Sequence, residues 1–156
     1  MTPSELSLRQ AAPADAALLR AITRAAYARW VPVIGREPLP MQADYRQALI
    51  HHRIDLIEGE GEAVGLIETR IEPDHLWIEN LAVLPAWQGQ GLGRHLLDHA
   101  QELARQAGLP RLQLLTNAAF EDNIAFYRRR GFTVTRTEPF LNGLTVYMEW
   151  EPAPCA

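Results

Sequence analysis

The chain has 156 residues and a mass of 17.6 kDa, with 47% apolar and 22% charged residues, which predicts one self-supporting domain over 1–156 and excludes a disordered or collagen-like chain. Its formal charge of −4 and pI near 5.7 offer no broad basic footprint, so neither nucleic acid nor an anionic membrane is an expected partner. All fifteen basic residues are arginine, and serine occurs only at Ser4 and Ser7, which removes lysine Schiff bases, a Walker-type phosphate lysine and a serine nucleophile on an elbow turn.

Glu5, Arg9, Asp15 and Arg20 interrupt the first twenty positions, so neither a secretory signal nor a transmembrane helix is predicted and a cytoplasmic location is expected. Residues 5–10 alternate weakly through Leu6 and Leu8 and read as an opening strand. Pro13 and Asp15 start a helix with Leu18, Leu19, Ile22, Ala25, Ala26 and Trp30 at helical spacing, predicted to end before Pro32. Residues 33–41 contain Gly35, Pro38 and Pro40 and read as a loop, followed by a short helix from Asp44 to His51. Alternating runs at 54–58 and 62–70 flank Gly59-Glu60-Gly61 and predict a hairpin. A third run, Leu76 to Val83, continues the meander.

Residues 92–107 give the clearest helix, with Leu92, Leu96, Ala100, Leu103, Ala104 and Ala107 on one face and Gly108 and Pro110 as stops. Then come a strand at 112–116, a helix at 122–130 closed by Gly131, and a strand pair at 132–137 and 144–150. The lone cysteine, Cys155, is next to last, so no disulfide framework or cysteine metal cluster is expected. A meander followed by alternating strands and helices predicts a mixed α+β domain around one central sheet.

Gln88-Gly89-Gln90-Gly91-Leu92-Gly93-Arg94 joins the third run to the best helix. Glycines at alternate positions let the backbone turn tightly and leave bare amides beside a helix N-terminus, an environment that suits a pyrophosphate. The spacing is G-x-G-x-G, it sits mid-chain after antiparallel strands, and Leu-Pro-Arg-Leu stands where a dinucleotide fold needs an acid. NAD binding is therefore disfavoured.

Val83-Leu84-Pro85 followed by Gln88, Gly91 and Gly93 resembles the Q/R-x-x-G-x-G/A acetyl-CoA motif of the GNAT superfamily of N-acetyltransferases. Asn123-Ile124-Ala125-Phe126-Tyr127 followed by Gly131-Phe132 resembles that superfamily's second block. The resemblance implies a GNAT-like α+β fold, a mostly antiparallel mixed sheet of about six to seven strands flanked by about four helices. It implies acetyl-CoA as cosubstrate, with Gln88 and the amides of Gly89, Gln90, Gly91, Leu92, Gly93 and Arg94 around the pyrophosphate. Leu81, Ala82 and Val83 would then lie along the pantetheine, paired to it as to an added strand.

Acetyl transfer from a thioester to an amine needs a neutral amine, a polarised carbonyl and a proton for the thiolate. An amine with a pKa of about 10.4 must lose a proton to a base or a water chain. The resemblance makes Tyr127 the acid. Strand period places Glu79 with Leu81 and Val83 and turns Asn80 the other way, so Glu79 is the expected base, directly or through waters ending at Glu79 or His75. The strand that carries an acidic base in some relatives reads Leu112-Gln113-Leu114-Leu115 here, and Phe120 replaces an asparagine seven residues before the tyrosine. Asn123, on the tyrosine's helical face, is expected at a pantetheine amide, and Asn117, at a strand end, either at the cofactor or as a turn or cap residue.

His95 and His99 flank Asp98 on one helix but lack a third ligand, so no metal is expected. Arg128-Arg129-Arg130 reads as favourable charge at a helix C-terminus, with a CoA phosphate as the alternative use. By analogy the acceptor pocket draws on Tyr27, Trp30, Ile34, Met41 and Tyr45, with Arg29 and Arg36 able to hold a carboxylate. The expected function is acetyl transfer from acetyl-CoA to a primary amine of a small molecule or peptide by direct attack in a ternary complex. The alternative is a non-catalytic acyl-CoA sensor. A homodimer through the final strand, Leu144 to Trp150, is open to the chain.

Overall fold

Alternating side chains carry the chain into a meander, which the computed structural model describes over residues 6–152; Ser4, Glu5 and Cys155 lie outside that range. β1 (Leu6–Gln10), β2 (Arg53–Gly59), β3 (Glu62–Ile71) and β4 (Leu76–Val83) pair antiparallel in that order. Glu60 and Gly61 take φ of 54° and 80° at the predicted hairpin, matching the twist of the flanking strands. β5 (Leu112–Asn117) then runs parallel to β4, and the sheet closes in the order β1-β2-β3-β4-β5-β7-β6, with β6 at Thr133–Phe140 and β7 at Gly143–Trp150. The final strand lies between β5 and β6. Among the described residues the free edges are therefore β1 and β6, and β7 cannot pair with another chain unless β6 leaves it.

Helices cover both faces. α1 (Ala16–Tyr27) buries Leu19, Ile22 and Ala26 on one side with Tyr45 of α3 (Tyr45–His51). α4 (Leu92–Gln106) buries Leu92, Leu96, Leu97, Ala100 and Ala104 on the other, beside α5 (Glu121–Arg129). Ala107, expected on the buried face, is exposed at the helix end. Because both sheet faces are covered, β2 and β3 bury Ile54, Leu56, Ile57, Val64, Leu66 and Ile67 almost continuously, where alternation alone predicts a half-exposed hairpin.

The predicted stop at Pro32 does not occur. The chain passes through a 3-10 turn at Ala28–Trp30 into a short α2 (Val31–Ile34), with Pro32 in its first turn, where a missing N–H costs no helix bond. It ends at Gly35 with φ of 74°. The expected loop also holds a 3-10 turn at Leu39–Gln42. Asp44 then caps α3, accepting from the amides of Arg46 and Gln47.

Asp55 on β2 is 2% exposed, with Arg53 Nε at 2.9 Å and His99 Nε2 of α4 at 3.2 Å. Burial pushes its carboxyl up, but the His99 ring and the Arg53 guanidinium outweigh that and hold it below the usual carboxylate range. A depressed folded-state value means the contribution is complete above the unfolded pKa and is lost as pH falls through the folded one. Asp55→Asn is expected to cost about 1–3 kcal/mol at neutral pH and to flatten the acid limb of stability. Urea unfolding at neutral pH and through the acid range measures both.

Candidate active site

Only three residue pairs join β4 to β5: Leu76 with Leu112, Trp77 with Gln113 and Ile78 with Leu114. Against β3, the register passes from Ile78 opposite Thr69 to Asn80 opposite Glu68, leaving Glu79 as the extra residue of a bulge. A bulge bends and twists its strand, and beyond it β4 has a strand neighbour on one side alone. Two cavities open around this gap, of about 390 Å³ at the glycine turn and about 250 Å³ beside β5 and β7. Tyr27 lines both.

The glycine cleft takes Leu81, Ala82 and Val83 from β4, then Gln88, Gly89, Gly91, Leu92, Gly93 and Arg94, with Asn123 and Phe126 from α5. Gly89 and Gly91 have φ of 78° and 85°, and Gly91 starts α4 without a side-chain cap. The amides of the first turn are therefore free for a ligand. The glycines differ in purpose. A Cβ at Gly89 would meet open space, whereas one at Gly93 would stand 3.0 Å from the Phe126 ring. Gln88 Nε2 donates to the Val83 carbonyl at 3.0 Å. Gln90, expected in the site, does not line the cleft; its side chain donates to the Ala86 carbonyl at 3.3 Å.

Arg29, Arg94, Arg129 and Arg130 also line this cleft, against the single acid Asp122. Within a chain of net charge −4 the cleft is locally cationic, and the Arg130 Nε is buried with no partner. An anion would satisfy it. Two arginines of the 128–130 run thus serve the cleft, and Arg128 does not line it.

The second cavity assembles distant segments: Ile34, Arg36, Pro38 and Leu39 from the connection after α1, Glu79, then Thr116, Asn117 and Phe120, and Glu138, Phe140 and Tyr147 from the last hairpin. Of the five residues expected around an acceptor, Tyr27 and Ile34 line it. Trp30 lines the glycine cleft, stacked on Phe120 with centroids 4.5 Å apart. Met41 and Tyr45 are buried and line neither cavity, because the 3-10 turn and α3 pack them against α1. Asn117, expected at the cofactor, lines the second cavity instead and accepts from the Ala119 amide at 2.9 Å. The divergence of β4 and β5 puts it on the far side of the gap.

The bulge also corrects the strand faces. Leu81 and Val83 pack on the α4 side, whereas Asn80 turns to α1 and α3. Glu79 does not share the face of Leu81 and Val83: it lies with Trp77, whose Nε1 donates to it at 2.7 Å, and with Arg70 at 2.9 Å. His75 lines neither cavity and sits against Asp74 at 2.7 Å.

Behind Tyr27 is a buried polar network. Its hydroxyl donates to Asn80 Oδ1 at 2.9 Å, and Asn80 Nδ2 donates to Thr23 Oγ1 and the Tyr45 hydroxyl, both at 3.1 Å. Burial pushes the Tyr27 phenol far above its ordinary pKa, helped by Tyr127, Tyr45 and Glu68 nearby, and pushes Tyr45 up to about 12. Asn80→Leu would strand the Tyr27 hydroxyl in a low dielectric and take a donor from Thr23 and Tyr45, which keep their bond to each other. A loss of about 2–3 kcal/mol is expected, read as a lower urea midpoint with unchanged slope.

Tyr127 is 8% exposed, edge-on to Phe126 and Phe132 at 5.3 and 5.4 Å. It lines neither cavity, and its hydroxyl makes no hydrogen bond among the described residues. Burial raises its pKa well above the phenol range, so it stays protonated at neutral pH.

A splayed β4 and β5, a cationic glycine turn at a helix N-terminus and a second cavity across the gap define the acyl-CoA N-acyltransferase class of fold. The chain belongs to the acetyltransferase (GNAT) family, whose model matches residues 19–132. It is 40% identical over 90 residues to an aminoalkylphosphonate N-acetyltransferase of Salmonella typhimurium, covering 53% of this chain and 56% of that one. It is 32% identical over 111 residues to a 5-NmdU N-acetyltransferase of Pseudomonas phage PaMx11, covering 70% and 74%. The match thus spans little more than half the length of the first relative. A solved PaiA N-acetyltransferase from Thermoplasma acidophilum, in complex with coenzyme A, shares the fold with a TM-score of 0.81 at 17% identity, over 97% of this chain and 100% of that one.

Proposed function

We propose that the chain is an N-acetyltransferase that moves the acetyl group of acetyl-CoA directly onto a primary amine of a small molecule. The observation that carries this reading is the meeting of a cationic glycine cleft and a separate cavity at one residue, Tyr27. Acetyl-CoA has an anionic end that suits the first-turn amides of α4 with Arg94, Arg129 and Arg130, and an extended amide-bearing arm that suits the edge of Leu81 and Val83 where β4 has no strand neighbour. Asn123 lies on the same route. The second cavity, of about 250 Å³, suits a small amine better than a folded polypeptide.

The amine attacks the thioester carbonyl, the new C–N bond forms and the C–S bond breaks. Glu79, in the second cavity, takes the amine proton directly or through water, and Tyr127 gives its proton to the departing thiolate. Burial keeps the Tyr127 phenol protonated, so it has a proton to give to the strongly basic thiolate that C–S cleavage leaves. No serine, lysine or cysteine in the described cavities offers a covalent route.

Calorimetry with acetyl-CoA, followed by an amine screen with mass detection, tests the reading. Saturable acetyl-CoA binding and an acetylated amine are expected. CoA binding without acetyl transfer to any amine would identify an acyl-CoA sensor instead, and no CoA binding would remove both.

A further inference from the structure

Among the described residues, every ion lining the second cavity has a counterion except one. Glu79 is held by Arg70 and Trp77. Glu138 is paired with Arg136 and accepts from the Tyr147 hydroxyl at 3.2 Å. Near α2, Arg24 holds Glu37 at 2.6 Å. Arg29 faces the other cleft, where it reaches Asp122 and covers the Trp30 ring.

Arg36 remains. Its guanidinium forms no ion pair among the described residues, its hydrogen bond there runs from Nη1 to the Glu37 carbonyl at 3.3 Å, and its Nε is buried without a partner. The group lines the cavity beside Phe140, whose ring centre is 5.7 Å from Cζ. A buried N–H with no acceptor is costly. A guanidinium also presents a fork of donors that fits a carboxylate or phosphonate, and apolar walls such as Ile34, Leu115 and Phe120 strengthen that attraction by excluding water.

Building on the acetyltransferase reading, we propose that the acceptor is an amine that also carries an anionic group, a carboxylate or a phosphonate, bound by Arg36. Such a molecule meets both signs of charge in the cavity: its anion at Arg36 and its ammonium toward the Glu79 carboxylate. A plain amine would leave the Arg36 Nε unsatisfied.

Matched acceptors test this: β-alanine against its methyl ester and aminoethylphosphonate against its diethyl ester, each lengthened by successive methylenes. Thiol release from acetyl-CoA gives kcat/KM, and calorimetry on the CoA-saturated protein gives Kd. The anionic member of a pair is expected to be preferred by about ten-fold or more, and the two series show which anion is taken. Arg36→Gln should bring the ratio near one, and Arg36→Lys should restore part of it. Equal or better use of the esters by the wild-type protein overturns the proposal, as does a preference that survives in Arg36→Gln or a failure of every anionic amine to bind. The wild-type comparison needs no folded variant. Arg36-dependent binding without thiol release would keep the anion site and remove the acetyltransferase reading; release with uncharged amines alone would do the reverse.

Discussion

Tyr127→Phe is expected to lower kcat by about 10²–10⁴-fold while leaving the affinity for coenzyme A nearly unchanged. The substitution removes one oxygen and keeps the ring between Phe126 and Phe132, so the packing that positions α5 survives. The hydroxyl has no hydrogen-bond partner to lose among the described residues, and the variant should therefore fold with wild-type stability or slightly better. What disappears is the proton for the thiolate. A step that removes a transition-state interaction lowers kcat and kcat/KM together, and the loss should be smaller with an acyl donor whose leaving group is a better anion than a thiol. Tyr27→Phe is the necessary comparison, because Tyr27 lines both cavities. Its proton is committed to Asn80 Oδ1, so that variant should lose stability more than chemistry. A large kcat loss in Tyr27→Phe with wild-type turnover in Tyr127→Phe would move the acid role from one tyrosine to the other.

The parts of the site that were legible in the sequence are those fixed by short-range geometry. A glycine at a positive φ, a helix N-terminus and a strand end lie within a few residues of each other, so the run from Gln88 to Arg94 announces its shape, and the seven expected residues it contains need no distant partner. Nine of the ten cleft-forming residues expected between Leu81 and Arg94 line the cleft, and Gln90 does not. Glu79 shows where local reasoning stops. Strict alternation puts it on the side of Leu81, but β3 and β4 differ in register by one residue, and only their pairing reveals the bulge that shifts the face. Asn117 takes the turn role open to a strand end, accepting from the Ala119 amide, and not the cofactor one, because nothing within Leu112 to Asn117 says that β5 parts from β4 after three pairs. Met41 and Tyr45 look like pocket aromatics and apolars because composition cannot tell a lining side chain from one packed beneath it. Arg36 and Glu138 reach one cavity from segments a hundred residues apart, and the folding of the last hairpin over the gap carries no local signal at all. The order of elements, by contrast, is set by periodicity and turn chemistry, and it matches the sheet strand for strand, whereas the short helical turns at Val31–Ile34 and Leu39–Gln42 carry no periodic signal.

Coenzyme A binding should be most sensitive to Gly91 and Gly93, for two separate physical reasons. Gly91 holds φ of 85° at the start of α4, a conformation that costs a β-branched residue about 1–3 kcal/mol, so Gly91→Val must either carry that strain or turn the first amides of α4 away from the ligand. Gly93 has ordinary backbone geometry, but a Cβ there would come 3.0 Å from the Phe126 ring. Gly93→Val would force that ring, itself part of the cleft wall, to shift. Each change is expected to weaken coenzyme A by about ten-fold or more, and the pair by about a hundred-fold or more if the effects add. Gly108 supplies the control. It has φ of 71° with open space around it and lies outside both cavities, so Gly108→Val imposes similar strain and should lower the melting temperature while leaving the coenzyme A affinity alone. Calorimetry and thermal unfolding on the same three proteins separate a lost cradle from a weakened fold. Wild-type affinity in both Gly91→Val and Gly93→Val would show that the diphosphate is not held by these amides, and the arginines around the cleft would then have to hold it without them.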